Sequence, residues 1–565
     1  MRLGAVGVVL TVSTVTYVAV ARPTPVPRVH RDVVTLQGTV RGYLAFNPPH
    51  FAYYGIPYAG SLTQGDRFKD PQPPPKWGGI FEALHKIKCP QVKADGDENC
   101  LVVNIFTPQK QDATLLPVVV FVHGGDLQSG WGAHRPPALF LEEGNNVIVT
   151  FNYRLGSLGF LCLRTPDVPG NAGLKDQIAA LYWVHRNIHQ FGGNPQDVTV
   201  YATEAAAVAV QLILLSELVE GFLHKVILES GSVLSPAALT YDPLGTAYTG
   251  ASFLGYTGSD DPDELFQFYL KASDKELVTI PEIFRPCVDN TTDSVHNLID
   301  VDPMRKLEDG LFTNVPMIIT FTPRDNASIL GTDLKKFEKP PDHFEYLLPH
   351  NLEFKSEKVK SEVAKIVKKF YFPEDFTRNS MVHNYAYYAQ DILVDYPIIK
   401  LAMMFAAKST YPVYVMKFTL PKVNEDSDKP ETTNLDTILD YLHKDKAQTN
   451  IFGELVTMLL RNFKTLGDPT PLTTAFIPLI WQPVHTEGDS QIHISDVQVL
   501  HLGPTRLTVS PHRNPRLKFW DKVYTRFHRA HEVTEEETED MLNSKEEEED
   551  HDDNDLYKLV FPEEK

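Results

Sequence analysis

The chain of 565 residues is 42% hydrophobic and 22% charged, an ordinary globular composition that excludes a wholly disordered, collagen-like or multi-spanning membrane protein. Its formal net charge of -20, from 53 basic and 73 acidic residues, repels phosphate and anionic lipid, so no nucleic-acid partner is expected. From Glu532 to Lys565 there are 16 acidic residues and 3 lysines, a net of -13, which leaves -20 + 13 = -7 for everything before them.

At the N-terminus, Met1 and Arg2 precede an uncharged run from Leu3 to Ala21 that ends in Ala19-Val20-Ala21, the small residues a signal peptidase needs. Residues 1–21 therefore read as a cleaved secretion signal. An uncleaved anchor is the alternative, because the run approaches membrane-spanning length, but Gly, Thr and Ser dilute its apolarity. No second stretch of that apolarity follows, so no membrane span is expected after signal removal and the expected location is extracellular. In an oxidising lumen, Cys89 and Cys100 are close enough to close a small loop, worth roughly 3 kcal/mol on the chain-entropy model. Cys162, after an apolar Gly-Phe-Leu run, reads as a small buried hydrophobe, and Cys287 as a free thiol, with a bridge between them as the alternative. Asn290-Thr-Thr and Asn326-Ala-Ser are glycosylation acceptors.

Further along, short Val-rich runs alternate with helical patterns. Leu116 to His123, Asn146 to Tyr153 and Val198 to Tyr201 read as buried strands, as do Lys225 to Glu229, Met317 to Phe321 and Val413 to Phe418. Asp176 to His189 carries Ile178, Leu181, Tyr182, Val184 and Ile188 at helical spacing. Strand, helix, strand with a crossover of that length implies a parallel sheet covered on both faces.

The ordered motifs carry a resemblance. Ala52-Tyr53-Tyr54-Gly55-Ile56-Pro57-Tyr58-Ala59, Arg67-Phe68, Glu98-Asn99-Cys100-Leu101, His123-Gly124-Gly125, Asn152-Tyr153-Arg154-Leu155-Gly156 and Phe191-Gly192-Gly193-Asn194-Pro195 stand in order. Glu229-Ser230-Gly231-Ser232, Gly467-Asp468-Pro469, Trp481 and Phe519-Trp520 continue the series. In this the chain resembles the type B carboxylesterase and cholinesterase family. The resemblance implies the α/β-hydrolase fold, with a mostly parallel central sheet and helices on both faces, over residues 22–531. It also implies acyl transfer by a serine nucleophile, a histidine base and an acidic residue that orients the base.

The motifs that would carry that chemistry depart from the family. Counting on from Val198-Thr199, the family's Gly-x-Ser-x-Gly falls on Ala202-Thr203-Glu204-Ala205-Ala206, so Glu204 takes the serine's place and both glycines are alanine. Alanine at both flanks suggests that the strained turn around the nucleophile has relaxed. After Val413 to Phe418, the best match to the histidine motif is Thr432 to Tyr441, with Leu435 at the histidine position; His443 reads as a surface residue. Asp325 stands at the acid position, followed by Asn326 instead of Gly. The backbone N–H groups of Gly124, Gly125 and Ala205 match the family's oxyanion hole, but the third glycine is Asp126, whose charge would oppose a developing oxyanion. His123 is structural in the family and reads so here.

The expected function is that of a non-catalytic carboxylesterase-like secreted protein, similar in this respect to cholinesterase-like adhesion proteins such as glutactin and neurotactin. It would act in extracellular recognition or matrix association, with an extracellular protein or matrix partner. Two alternatives remain open: a carrier that sequesters a small lipophilic ligand in a retained gorge, and a residual or altered carboxylic ester hydrolase using Glu204. No metal and no cofactor is expected. Residues 532–565, including Glu546 to Asp550, form an acidic tail too charged and too poor in apolar groups to order alone. It reads as a solubilising segment, or as one that attracts a calcium-rich or basic partner.

Overall fold

The computed structural model describes residues 29–529, except 47, 63, 93–95, 111–113, 135–137, 282, 290–296, 323–342, 373–377, 419–449, 485–492 and 504–506. Asn290, Asp325, Asn326, Leu435 and His443, the signal segment and the acidic tail lie outside the described residues.

Thirteen strands build one sheet among the described residues. They are β1 (His30–Val34), β2 (Thr39–Ala45), β3 (His50–Pro57), β4 (Ile80–Glu82), β5 (Val102–Pro108), β6 (Leu116–Val122) and β7 (Val147–Phe151), then β8 (Gly193–Thr203), β9 (Lys225–Glu229), β10 (Met317–Phe321), β11 (Val413–Phe418), β12 (Gln498–Leu502) and β13 (Leu507–Pro511). Their order is β1-β2-β3-β5-β7-β6-β8-β9-β10-β11-β12-β13, with β4 beside β2. Every pairing from β7 to β12 along that order is parallel. The two flanks, β1-β2-β3-β5-β7 and β12-β13, are antiparallel. This is the α/β-hydrolase architecture.

The helices used below are α1 (Ala172–Asn187), α2 (Ala205–Leu215), α3 (Glu357–Tyr371), α4 (Tyr396–Lys408), α5 (Asn450–Leu466) and α6 (Pro515–Phe527). A strand in a two-sided sheet must be apolar on both faces, and β6 is. Val118, Val120 and Val122 join one core cluster with α1, α2 and α4, while Val119 and Phe121 join a second with Leu455, Val456 and Leu459 of α5. The expected helix forms with its start moved from Asp176 to Ala172, and the Val198 run extends in both directions.

The cysteines correct one expectation. Cys89 and Cys100 are bonded, and so are Cys162 and Cys287, so that neither is free. Asn171 makes the second bridge possible by exchanging two hydrogen bonds with the Cys287 backbone, at 2.9 and 3.0 Å. Gly170 leaves room for it: a Cβ there would stand 2.7 Å from the Cys287 Sγ and 2.8 Å from that of Cys162.

The loop after β7 is fixed by a buried ion pair. The Arg154 guanidinium donates to Asp176 of α1 at 2.8 and 2.6 Å, and also to the carbonyls of Arg67 and Lys69. The two side chains are 2% and 0% exposed, so removing one partner leaves the other charge buried and uncompensated. Asp176→Asn should lower stability by about 3–5 kcal/mol, read from urea unfolding midpoints at an unchanged slope.

Candidate functional site

The site is assembled where β8 ends. Val198 to Thr203 are fully buried, and the turn into α2 is made by one residue, Glu204, at φ 54° and ψ -124°. A non-glycine residue there stores roughly 1–3 kcal/mol of backbone strain. The strain is therefore retained, against the expectation from Ala202 and Ala206. Both alanines are fully buried at ordinary negative φ, so the turn does not need glycine at either. The close approach falls instead on Gly231, at the end of β9, where a Cβ would lie 2.1 Å from the Glu204 carbonyl oxygen. Glu204 N–H donates to the Glu229 carbonyl at 2.7 Å, and its own carbonyl accepts from Ala207 at 3.0 Å.

The loop after β6 faces this turn. A Cβ on Gly124 would stand 2.9 Å from Thr203 Oγ1 and 3.2 Å from Glu204 Oε2, which sets the Glu204 carboxylate against the glycine loop. Gly125, at φ 100°, has no room for a Cβ, which would fall 2.3 Å from the Ser129 carbonyl oxygen. That tight turn is closed by the N–H groups of Gln128 and Ser129, each donating to the Gly125 carbonyl at 3.0 Å. Gly124 thus stands against the Glu204 carboxylate, and Ala205 opens α2.

Asp126 does not stand alone. Arg285 donates to its carboxylate at 2.9 Å and to its carbonyl at 3.4 Å. With Asp126 about half exposed, the pair is worth at most about 1 kcal/mol of stability, yet it places a cation beside the charge that was expected to oppose an oxyanion. Arg285 is 159 positions away and belongs to no motif, so its role was invisible in the sequence.

His123 has a structural environment. Its Nδ1 donates to the Gly124 carbonyl at 2.9 Å, its ring stacks on Tyr153 with centroids 4.5 Å apart, and Tyr153 donates to the His123 carbonyl at 2.8 Å. Burial lowers the His123 pKa to about 4, only partly offset by the Gly124 carbonyl, so the ring is neutral at physiological pH. Burial, followed by the charges of Asp126 and Glu204, raises the Tyr153 hydroxyl, which places both carboxylates in its field. Among the described residues, no histidine hydrogen-bonds to the Glu204 carboxylate.

Two clefts are found among the described residues. One of about 60 Å3 runs beside the glycine loop, lined by residues that include Gln128, Ser129, Leu155, Gly156 and Ile280. The other, an open cleft of about 610 Å3, is lined by Lys417, His501, Ser510, Pro511, His512 and Arg513 at strands β11 to β13. Neither is lined by Glu204, and Lys417 and His512 of the larger one face Asp395 at 3.6 and 3.4 Å. Among the described residues no helix is long and apolar enough to cross a membrane, and no cluster of three or more His, Cys, Asp or Glu side chains could hold a metal ion.

The residues of this site lie within a stretch that matches a family model. Residues 28–520 fit the description "Carboxylesterase family". The chain belongs to this family. It is 31% identical to juvenile hormone esterase of Heliothis virescens over 402 residues, covering 65% of this chain and 70% of that one. It is 30% identical to mouse neuroligin-3 over 322 residues, 47% of this chain and 38% of that one. In fold it matches the crystal structure of juvenile hormone esterase from Manduca sexta, with OTFP covalently attached, at a TM-score of 0.74 and 24% identity, covering 88% of this chain and 100% of that one.

The His123 shift fixes a pH dependence. Its folded pKa of about 4 lies below the usual value near ~6.5, so the unfolded chain takes up the proton first. The stability it contributes is present above about pH 6.5 and is lost as pH falls through about 4. Between pH 7 and 5 the loss should be on the order of 2 kcal/mol. His123→Phe, which keeps the stacking but cannot titrate, should flatten that part of a thermal-unfolding profile against pH.

Proposed function

We propose that this chain is a non-catalytic, secreted member of the carboxylesterase family that serves extracellular recognition or matrix association, in the manner of the cholinesterase-like adhesion proteins. One observation carries the reading: the residue on the strained turn, where an acyl-transfer nucleophile would stand, is Glu204, and its carboxylate lies against Gly124.

Two physical consequences follow for acyl transfer. A serine at this turn acts only after a base removes its proton, whereas a carboxylate adding to an ester would form an anhydride that still needs a base to activate water. The motif order puts Leu435 at the base position. A tetrahedral intermediate formed by any other nucleophile would place its negative oxygen beside the Glu204 charge. At about 4 Å and an effective dielectric of ~20, two like charges repel by ~4 kcal/mol, about a thousandfold in rate. The Arg285 partner of Asp126 answers the neighbouring carboxylate, while Glu204 has no ion-pair partner among the described residues.

Several features support the recognition half. Two disulfides suit an oxidising, extracellular setting, and the sequons at Asn290 and Asn326 are consistent with it. Neuroligin-3, unlike the esterase relatives, bears a name that carries no ester-cleaving activity.

The purified protein should hydrolyse short-chain aryl esters no faster than buffer, and organophosphate should label no serine, Ser230 and Ser232 included. Turnover or stoichiometric labelling in the native chain would overturn the non-catalytic reading. Glu204→Ser alone should also remain inactive, because the strained turn is ready but no base accompanies it. Turnover is expected only when Leu435→His and Asp126→Gly are added, and clear activity from the single variant would mean that another group serves as base.

A further inference from the structure

The charge of this acidic chain is segregated. Residues 355–369 hold six lysines against two glutamates, a net of 6 - 2 = +4. Residues 513–529 hold six Arg and Lys against one aspartate, a net of 6 - 1 = +5. These two stretches contain α3 and α6, which are neighbours in space. Phe370 stacks on Phe519 with centroids 4.2 Å apart, and Trp520 Nε1 donates to the Tyr371 hydroxyl at 2.7 Å.

Helical spacing turns the cations outward. In α3, Val363, Ala364 and Val367 are buried, and Lys358, Lys365 and Lys369 occupy the opposite, exposed side. In α6, Trp520, Val523 and Tyr524 are buried, and Lys518 and Lys522 are exposed one turn apart. Among the described residues none of these five lysines has an ion-pair partner, although the body apart from the two stretches carries -7 - 9 = -16. Such a surface is suited to a polyanion.

The chain supplies one at this place. Its last described residues are stitched to the segment that leads into α3: Glu353 N–H donates to the Phe527 carbonyl at 2.8 Å, Leu352 bridges His528, and Arg529 N–H donates to the Asn351 carbonyl at 3.1 Å. Arg529, the last described residue, therefore stands at the seam of the two basic helices. The 15-residue helix α3 is about 22 Å long. The 16 residues from 530 to 545 can span at most about 53–58 Å, more than twice the length of the helix, so Glu546 to Asp550 can reach any point along it. A short tether that can reach its site gives an effective concentration on the order of mM.

We propose that the acidic segment 532–565 docks on the lysine faces of α3 and α6 of its own chain, with Glu546 to Asp550 as its centre, and so screens this surface from other polyanions. The net -13 of the segment meets the five exposed lysines of the two helix faces.

The test is zero-length carbodiimide cross-linking of the intact, full-length protein, with peptides mapped by mass spectrometry from the monomer fraction. Links from Lys365, Lys369, Lys518 or Lys522 to peptides within 532–565 are expected, at a yield independent of protein concentration. They should fall about fivefold or more in 0.5 M NaCl, where the screening length shrinks to a few ångströms. The combined variant Lys365→Glu, Lys369→Glu, Lys518→Glu, Lys522→Glu changes exposed residues only and should unfold at nearly the native temperature. It should lose the remaining links to Lys358. Links spread evenly over lysines elsewhere, or none at all, would overturn the proposal. Heavy–light links in a mixture of isotope-labelled and unlabelled protein would assign the surface to a second copy instead. Retention of the intact chain on heparin at 0.15 M NaCl, abolished in the combined variant, would show a face open to a sulfated polysaccharide and would overturn it as well.

Discussion

The ion pair between Arg154 and Asp176 is the constraint on which the rest of the site depends. Arg154 is on the loop that follows β7, and Asp176 is in α1; their doubled hydrogen bonds hold that loop to the helix inside the protein. The loop then holds the glycine turn. Asn152 accepts from Gly132 N–H at 2.8 Å, Tyr153 donates to the His123 carbonyl, and Gly156 N–H donates to the Leu127 carbonyl at 2.8 Å. Three anchors therefore fix residues 123–132, among which Gly124 lies against the Glu204 carboxylate. A buried pair of this kind is poor as a source of net stability but costly to break, which makes it a means of fixing position.

This dependence explains how the site keeps its geometry independently of the side chain at position 204. The strained turn at Glu204 is held by backbone bonds to Glu229 and Ala207 and by the absence of a Cβ at Gly231. None of these contacts involves the side chain at position 204. A glutamate can replace a hydroxyl there without disturbing them, because the residue is only half-buried and its carboxylate keeps access to water. The roughly 1–3 kcal/mol of strain is a property of the fold and is stored whether or not chemistry follows.

Parts of this were legible in the sequence and parts were not, for identifiable reasons. Val118 to Val122 and Met317 to Phe321 are apolar on both faces, so their strands stand out without a partner being known. The strands β1 and β13 did not, since β1 is mostly exposed and β13 half-buried throughout, and neither carries a clean alternation. The position of Glu204 followed from motif order, but the state of its turn did not: Ala202 and Ala206 pointed to relaxation, while the deciding glycine, Gly231, lies two residues past β9. The Cys162–Cys287 bridge, at a separation of 125 residues, and the Arg285–Asp126 pair are long-range contacts that only the folded chain brings together.

The residues of the site separate by the number of tasks each performs. Gly124, Gly125, Gly231, His123 and Tyr153 all close turns or fill the core, so each is needed for the fold even if no ester is ever bound. The side chain at position 204 makes no hydrogen bond among the described residues, so the fold places little demand on its identity. Chemistry can therefore be lost at that one point while every supporting element is retained by its structural task. A scaffold of this type keeps a rigid sheet and a stiff set of surface helices, and its outer charges are free to change without cost to the core. Lys358, Lys365 and Lys369 of α3 and Lys518 and Lys522 of α6 are such charges: they are exposed and lie away from the buried faces of their helices.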